Sequence, residues 1–288
     1  MDGLRGTTWP PHSPGSGGLH EENPHGENPA TTAGTRAAET PLALHRPGPA
    51  RVHDYLLGGK DNYSCDRRLA HRILDVLPQS AEAAHCARAF LAGSVRLLAE
   101  RGLRQFLDLG CGLPRADNLH QIAARHIGGT RVVYVDHDPL VIAHARALLI
   151  DGGNVAALRA DLRDPASVLE SPEVRRLIDP SEPVALVLSS VLHFLPGARG
   201  LVAELAAAAA APGSALVVSH LTADFAPAEI AEAARRYREA SGVAVRPRAG
   251  AEVARLLGPF RALPPGVSPL SGGALLRDPL MYGVVGVL

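Results

Sequence analysis

The pattern of apolar and polar positions predicts a chain that alternates between strands and helices over most of its length. Apolar residues recur at steps of three and four in the stretches 66–78 and 80–100, which predicts two amphipathic helices before the first strand. Short apolar runs then predict strands at residues 104–109, 131–136, 154–159, 184–189 and 215–219. Helical stretches lie at residues 117–126, 139–149, 198–211, 227–240 and 251–257. Because continuous apolar strands joined by helices form a parallel sheet covered on both faces, the pattern predicts an α/β fold.

The two ends of the chain depart from this pattern. Residues 1–48 are rich in Pro, Gly, His, Asn and Thr and have almost no apolar periodicity, which predicts a disordered tail. Residues 49–102 are expected to form a helical cap or lid, and residues 103–288 the ligand-binding domain. The last apolar runs, at 260–267 and 282–288, lie too close together for a helical crossover, so they predict an antiparallel C-terminal hairpin.

Composition and charge narrow the classes of function. The chain has 288 residues, of which 46% are hydrophobic, and can therefore build a substantial core. With 29 basic and 29 acidic residues the formal net charge is zero, which argues against nucleic acid and anionic membranes as partners. No apolar run reaches the roughly 20 residues of a membrane-spanning helix, and no signal-peptide profile is seen. The three cysteines have neither disulfide nor zinc spacing, so we expect a cytoplasmic protein with small-molecule partners and no metal.

The end of the first predicted strand carries a glycine-rich turn, FLDLGCGLP. In an open parallel sheet, ligands bind beyond the carboxyl ends of the strands, and Gly110 and Gly112 let the backbone approach a ligand closely. The dinucleotide fingerprint requires a small residue at position 115, where this chain has Arg115, so NAD is disfavoured. A lone G-x-G also fits a plain turn between a strand and a helix.

Acidic residues follow the next two strands. Asp136 ends the second strand, where a carboxylate accepts hydrogen bonds from both hydroxyls of a ribose, whereas Asp138 occupies a helix N-cap position. After the third strand, the carboxylate of Asp161 beside the backbone N–H of Leu162 is suited to the amino group and ring nitrogen of adenine, although this ADLRDP segment also fits a turn or cap. Together the strand ends predict an adenosine-bearing cofactor with free ribose hydroxyls.

The phrases DYLLGGKDNY, FLDLGCGLP, VVYVDHDP, ADLRDP and VLHFLP, in this order, resemble an actinobacterial family of S-adenosylmethionine-dependent methyltransferases of unassigned substrate. The likeness covers residues 51–224 and weakens beyond them, so it does not specify the acceptor. It implies a class I methyltransferase, Rossmann-like fold with a mostly parallel seven-stranded sheet, helices on both faces and an N-terminal helical lid. It also implies S-adenosylmethionine as cofactor, with its methionine end at Asp108, Gly110 and Gly112, its ribose at Asp136 and its adenine at Asp161 and Leu162.

Catalysis of methyl transfer requires mainly that the acceptor be positioned and water excluded, so a general base is optional. His193, just after the fourth strand, is the catalytic candidate, although it fits equally well a core histidine bonded to backbone. His220, at the end of the fifth strand, is a second candidate. Ser189 is a candidate cofactor contact or a plain strand end. The absence of a G-x-S-x-G elbow disfavours a hydrolase.

The only lysine of the chain, Lys60, lies in the GGKDN turn ahead of the predicted helices. Gly59 allows a tight turn with free N–H groups, and Lys60 is expected to offer a compact positive charge to the methionine carboxylate. Tyr55 and Asn62 are its expected companions in a segment that closes over the cofactor. The alternative is a surface turn that merely caps the next helix.

The sequence therefore predicts a methyltransferase that acts on a small molecule. A catalytically silent protein that binds S-adenosylmethionine as a sensor or scaffold stays open as an alternative, and an NAD(P)-dependent oxidoreductase is less favoured. The acceptor and the oligomeric state are not determined by the sequence.

Overall fold

The computed structural model describes residues 44–150, 153–271 and 278–288. Most of the predicted tail, residues 1–43, lies outside the described residues. The division into a tail, a lid and a ligand-binding domain stays a prediction.

The described strands form one sheet of eight strands. They are β1 (Gln105–Leu109), β2 (Arg131–Asp136), β3 (Val155–Arg159), β4 (Val184–Ser189), β5 (Ala215–Leu221), β6 (Arg261–Ala262), β7 (Ser268–Pro269) and β8 (Met281–Val287). The order is β3-β2-β1-β4-β5-β8-β6, and β7 also pairs with β8. Strands β1 to β5 are parallel, and β8 is antiparallel to β5. The predicted α/β class with a mostly parallel sheet and an antiparallel C-terminal part is confirmed.

The C-terminal hairpin differs from the prediction in one respect. The apolar run 260–267 was expected to form a single strand, but the structure has two strands of two residues each, β6 and β7, which both pair with β8. The prolines and the glycine at 264–266 separate them, because a proline cannot donate to a strand ladder. The main path of the sheet therefore keeps seven strands, and β7 lies off it.

Ten α-helices occur in the described residues: α1 (Pro49–Leu56), α2 (Ser64–Leu74), α3 (Ser80–Glu100), α4 (Leu119–Ala124), α5 (Pro139–Leu148), α6 (Pro165–Leu169), α7 (Pro172–Leu177), α8 (Ala198–Ala208), α9 (Pro227–Ser241) and α10 (Gly250–Leu256). Three of them precede β1, whereas the sequence predicted two. The helices that the sequence did not predict, α1, α6 and α7, have at most eight residues and begin at a proline. Such helices are too short to show a clear period of 3.6 residues.

Both faces of the sheet are covered, as the continuous apolar strands predicted. Leu107 and Val133 belong to one buried cluster, which includes residues of α6, α7, α8 and α10. Phe106 and Val132 belong to the cluster on the other face, with α3, α4 and α5. Alternate strand residues point to opposite faces, so two apolar layers result.

A third buried cluster lies apart from the two faces of the sheet. It combines residues of α1, α2, the start of α3 and α9 with Leu280 and Met281 at the start of β8. We call this group the helical cluster. It lines one side of the cavity described next.

Candidate functional site

A cavity of about 450 Å³ opens at the carboxyl ends of the first four strands. Strand order reverses between β1 and β4, which is where open α/β sheets bind ligands. The volume lies in the range of small-molecule sites. The predicted site residues that line the cavity are Asp108, Gly110, Gly112, Asp136, Asp161, Leu162, Ser189 and His193. The structure thus brings together residues from four strand ends that are up to 85 positions apart in the chain.

The glycine turn after β1 is fixed against β2. The backbone N–H groups of Gly110 and Cys111 both donate to the carbonyl oxygen of Val135, at 2.8 and 3.0 Å. Gly110 has a φ of 78°, and a Cβ at this position would overlap the side chain of Val191. Gly112 also has positive φ, at 66°, but no atom lies within 4 Å of the place of its Cβ. The turn therefore leaves open space beside Gly112, on the cavity side.

Asp136 connects this turn to the next helix. Its side chain is buried, with Oδ2 accepting from the N–H of Gly112 at 3.1 Å and Oδ1 from the N–H of Asp138 at 2.9 Å. An ionised carboxylate has about four lone-pair sites, so two remain beside these backbone donors, and the exposed imidazole of His137, with Nδ1 3.4 Å from Oδ1, competes for one of them. Asp138 caps α5 as predicted, accepting from the N–H of Leu140 at 2.9 Å. Of Asp136 and Asp138, Asp136 is therefore the one with acceptor capacity toward the cavity from a buried position.

Asp108 is the second buried carboxyl group of the cavity. Burial raises its pKa from 3.8 to about 7, against the opposing effect of the Arg88 guanidinium. Arg88, from α3, also lines the cavity and donates to the carbonyl oxygen of Asp117. The Cys111 thiol lies near Asp108 and Asp136. Burial raises its pKa well above its usual range, so this cysteine is a thiol and no nucleophile at neutral pH.

The residues after β3 and β4 complete this wall of the cavity. Asp161 is partly exposed, and its carboxylate accepts hydrogen bonds from Nε of Arg163 at 2.9 and 3.0 Å, which hold its pKa below the usual value. Leu162 beside it is buried. The hydroxyl of Ser189 lies 3.0 Å from that of Ser219 on β5, so it already has a partner within the sheet.

The two candidate histidines have different surroundings. His193 lines the cavity, only 8% exposed, and its Nδ1 is buried with no hydrogen-bond partner among the described residues. Burial lowers its pKa well below 6.5, so the ring is neutral at pH 7. His220 is fully buried, with Nδ1 2.7 Å from the Leu221 carbonyl and Nε2 2.6 Å from the Arg248 guanidinium. Because a guanidinium only donates, His220 carries its proton on Nδ1, and both nitrogens are engaged.

Residues 35–272 match the family described as S-adenosyl methyltransferase. This match covers most of the 288 residues. The chain belongs to the S-adenosyl methyltransferase family. The methyltransferase uses S-adenosylmethionine as its cofactor, and the cavity fits that group, since open space lies beside Gly112 and Asp136 has lone pairs left for two hydroxyls.

Two solved structures resemble the methyltransferase over nearly their whole length. A proposed methyltransferase from Thermobifida fusca YX is 40% identical, with a TM-score of 0.78, over 85% of this chain and 96% of that one. A DUF574 family protein from Streptomyces avermitilis MA-4680 is 34% identical, with a TM-score of 0.81, over 86% of this chain and 99% of that one. Both sources are actinobacteria, in agreement with the resemblance found in the sequence. The comparison with curated proteins gives no match.

The GGKDN turn of the methyltransferase is built around a residue that the sequence analysis did not single out, Asp54. This buried carboxylate accepts hydrogen bonds from the N–H of Asp61 at 3.0 Å and from the side-chain amide of Asn62 at 2.9 Å. A Cβ on Gly59 would fall well inside the van der Waals radius of the Asp54 carboxylate. The turn therefore closes on Asp54, and the N–H groups of Gly58, Gly59 and Asp61 donate within the protein.

Four predicted cofactor contacts do not reach the cavity in the described structure. Tyr55, Gly59, Lys60 and Asn62 are outside the set of lining residues. The Tyr55 hydroxyl lies 2.6 Å from Nε2 of His71, and Lys60 is exposed. The physical reason is that Asp54 draws the turn toward itself, so the lysine side chain is directed to solvent. The role of these residues in cofactor binding stays a prediction that their positions do not support.

Arg115 joins this turn to the glycine turn of the methyltransferase. Its guanidinium donates to Oδ1 of Asp54 at 3.2 Å and to the carbonyl oxygen of Leu57 at 2.9 Å. In the sequence, Arg115 stands out only as a departure from the dinucleotide fingerprint. The partner of this arginine, Asp54, lies 61 positions earlier, and no local pattern links the two.

Other residues that sequence reasoning missed come from the helices around the cavity. His53 of α1 lines the cavity, and burial lowers its pKa to about 4. Tyr237 of α9 also lines it, and its buried hydroxyl has no hydrogen-bond partner in the described parts of the chain. A tyrosine in the otherwise charged stretch ARRYREA was the only available signal.

Two further findings concern other kinds of site. Within the described ranges, no helix is both long enough and apolar enough to cross a lipid bilayer. In the same ranges, no group of three or more His, Cys, Asp or Glu side chains is arranged to hold a metal ion.

Proposed function

We propose that the methyltransferase transfers a methyl group to a small molecule, with His193 as the group that accepts the proton of the acceptor. One observation carries this proposal. His193 lines the same cavity as the glycine turn and Asp136, and its buried Nδ1 has no partner among the described residues. A neutral imidazole nitrogen without a partner is free to accept a proton or a hydrogen bond.

The geometry of the strand ends supports a definite orientation of the cofactor. Asp136 accepts hydrogen bonds from the ribose hydroxyls, and the turn from Asp108 to Gly112 receives the methionine end. Asp161 and Leu162 receive the adenine, and the backbone near Ser189 borders the region where the methyl group lies. This orientation directs the methyl group toward His193, which follows β4.

S-Adenosylmethionine, when bound, supplies a methyl group whose carbon–sulfur bond breaks with the electron pair remaining on sulfur, so the acceptor provides the new bonding pair and releases one proton. His193 receives that proton at Nδ1 and passes it to solvent. The apolar side chains around the cavity exclude water and hold the acceptor in line. The low pKa of His193 keeps the imidazole neutral between turnovers, and with its one proton on Nε2 the ring accepts at Nδ1.

Calorimetry with S-adenosylmethionine and with NAD, followed by a turnover assay, tests this function. We expect S-adenosylmethionine to bind and a labelled methyl group to appear on at least one member of a panel of phenols, alcohols, amines and carboxylates. His193→Gln is expected to bind the cofactor normally and lose turnover. Binding without product over the whole panel would favour a silent cofactor-binding protein, and NAD that competes with S-adenosylhomocysteine would favour an oxidoreductase.

The raised pKa of Asp108 predicts a pH dependence of cofactor binding. In the free protein this carboxyl group loses its proton near pH 7, and the ammonium group at the amino-acid end of S-adenosylhomocysteine favours the ionised form. Affinity is therefore full above pH 7 and falls as the pH drops. We expect binding at pH 6 to be about tenfold weaker than at pH 8, as measured by calorimetry.

Asp108→Asn is the control for this dependence. His137, whose pKa is raised by its hydrogen bond to Asp136, is unchanged in this variant and titrates as before. We expect weaker binding at all pH values and a flat profile between pH 6 and pH 8. An unchanged slope in Asp108→Asn would assign the dependence to His137 and contradict the prediction.

A further inference from the structure

The cavity has two chemically different sides. The strand ends and the neighbouring α3 contribute its charged groups, among them Asp108, Asp136 and Arg88. The opposite side is formed by the helical cluster, to which α1 contributes a charged lining residue, Asp54, paired with Arg115 at 3.2 Å. The described lining residues of α2, of α9 and of the segments 75–79 and 243–281 are uncharged: Ile73, Leu77, Ile230, Ala233, Ala234, Tyr237, Val243, Val245, Leu280 and Met281. The first side matches a charged, polar cofactor, which leaves the second side for the acceptor.

Two polar atoms on this second side lack partners. Nδ1 of His193 and the hydroxyl of Tyr237 are the two buried side-chain polar atoms that have no hydrogen-bond partner in the described parts of the chain. Both side chains are only 8% exposed, and both line the cavity. A buried polar group without a partner is destabilising, so two such side chains in the lining of one cavity indicate a ligand that satisfies them.

The ring of Phe194 packs against the side chains of both His193 and Tyr237. Its ring centroid lies 4.4 Å from that of His193 and 5.7 Å from that of Tyr237. The rings of both residues thus pack against the same aromatic ring, beside the apolar residues of α9. This arrangement offers a ligand an apolar surface with two hydrogen-bonding atoms at its edge.

The charged side chains near His193 and Tyr237 form ion pairs or hydrogen bonds within the protein. Asp66 and Arg51, which lie near Tyr237, form a buried ion pair at 3.1 Å. Arg248, which lies near His193, donates to the carbonyl oxygens of Leu192 and Leu195. The neighbouring rings, His53 and His220, are neutral because burial lowers their pKa values to about 4. Arg51, Asp66 and Arg248 all lie outside the cavity-lining residues, and the carboxylate of Asp54, which lines the cavity, is paired with Arg115.

An uncharged wall selects against charged acceptors, because an ammonium or a carboxylate would be buried there without a counter-ion. The neutral imidazole accepts one hydrogen bond at Nδ1, and the Tyr237 hydroxyl donates one. A hydroxyl group is the simplest neutral partner that donates one hydrogen bond and accepts another. An ether or a hydrocarbon would leave at least one of the two atoms unsatisfied.

We propose that the acceptor of this methyltransferase is a neutral, mainly apolar molecule with a hydroxyl group, held between Nδ1 of His193 and the hydroxyl of Tyr237. The proposal rests on the function proposed above and names the substrate class of the same site. The acceptor oxygen supplies the electron pair of the new carbon–oxygen bond, and its proton passes to Nδ1 of His193. Tyr237 donates to that oxygen and orients it.

Calorimetry with four probes that share a 4-propylphenyl group and differ in one substituent tests the substrate class. The probes are 4-propylphenol, 4-propyltoluene, 4-propylbenzylamine and 4-propylbenzoate at pH 7.5, titrated into the protein alone and into the protein saturated with S-adenosylhomocysteine. We expect the phenol to bind at least about tenfold more tightly than each of the other three. Tyr237→Phe is expected to reduce the preference for phenol over hydrocarbon at least about fivefold.

Tyr282→Phe is the matched control for Tyr237→Phe. Tyr282 lies outside the set of cavity-lining residues, and its hydroxyl donates to Oδ2 of Asp224 at 3.0 Å. This variant loses an existing hydrogen bond, so its melting temperature falls while the preference for phenol is unchanged. Tyr237→Phe removes a hydroxyl without a partner, and its melting temperature is expected to stay equal or rise.

The outcomes separate this proposal from the proposed function. If S-adenosylhomocysteine binds but the phenol has no advantage over the hydrocarbon, the substrate class is wrong and the cofactor assignment stands. Tightest binding of the amine or the benzoate, or an equal loss of preference in Tyr282→Phe, also overturns the proposal. If S-adenosylhomocysteine does not bind, the proposed function fails, and the titrations of the protein alone still decide whether the cavity prefers a hydroxyl.

Discussion

Asp136→Ala is expected to weaken the binding of S-adenosylhomocysteine by at least about 100-fold, as measured by calorimetry. The carboxylate has two lone-pair sites left for ribose hydroxyls, and a hydrogen bond to a charged group contributes about 1.5–3 kcal/mol. The loss of two such bonds costs about 3 kcal/mol or more, and each 1.4 kcal/mol is a factor of about ten in affinity. The variant also removes the acceptor for the N–H of Gly112, which loosens the glycine turn.

Asp138→Ala is the control for this effect, since it removes a carboxylate two positions away. Asp138 caps α5 through the N–H of Leu140, so its loss is expected to cost about 1 kcal/mol of stability. Affinity for S-adenosylhomocysteine should change less than about threefold. If Asp138→Ala weakened binding as much as Asp136→Ala, the assignment of the ribose to Asp136 would be wrong.

Gly59→Ala is expected to lower the free energy of unfolding by about 3 kcal/mol and to weaken cofactor binding. The added Cβ displaces the Asp54 carboxylate, which cannot move away because Asp61, Asn62 and Arg115 all donate to it. Overpacking and the loss of a buried ion-pair partner each cost at least about 1–3 kcal/mol. Thermal unfolding measures this loss as a decrease of about 6–12 °C in the melting temperature.

Two variants in the same turn are the controls. Gly58 has a φ of 74° and no atom within 4 Å of its Cβ position, so Gly58→Ala tests backbone strain without a contact and should cost about 1 kcal/mol. Gly59 has a φ outside the left-handed region, so its variant tests the contact without strain. Lys60→Ala should leave stability and affinity unchanged, because the side chain is exposed. Equal melting temperatures for Gly59→Ala and the wild type would show that Asp54 does not organise the turn. A loss of affinity for S-adenosylhomocysteine in Lys60→Ala would show that the lysine contacts the cofactor.

The predicted sheet and the cavity at its strand ends follow from local features of the sequence. Apolar runs of five to seven residues define β1 to β5, and the helices between them make the strands parallel. Parallel strands place their carboxyl ends on one edge, so Asp108, Gly112 and Asp136 had to come together once the strands were recognised. Of the five described helices with eight residues or fewer, only α4 and α10 were predicted, because helices of about two turns show their period only weakly.

In the GGKDN turn, the local sequence does not determine which side chains face the cavity. The phrase DYLLGGKDNY indicated the family, but not which of its side chains faces the cavity. That choice depends on the ion pair between Asp54 and Arg115, which joins positions 61 residues apart. The sequence analysis therefore assigned the cofactor contact to Lys60, whereas the structure directs Asp54 inward and leaves Lys60 exposed.

The sequence by itself determined the α/β class, the family and the strand ends that form the cofactor side of the cavity, because each depends on short-range periodicity or on a motif of a few residues. Only the tertiary structure decided the acceptor side. His193 and Tyr237 are 44 positions apart and belong to separate elements. Only the folded chain places both side chains against Phe194 and leaves a buried polar atom of each without a partner. Whether a buried polar group has a partner is a property of packing between distant segments, which no local pattern specifies.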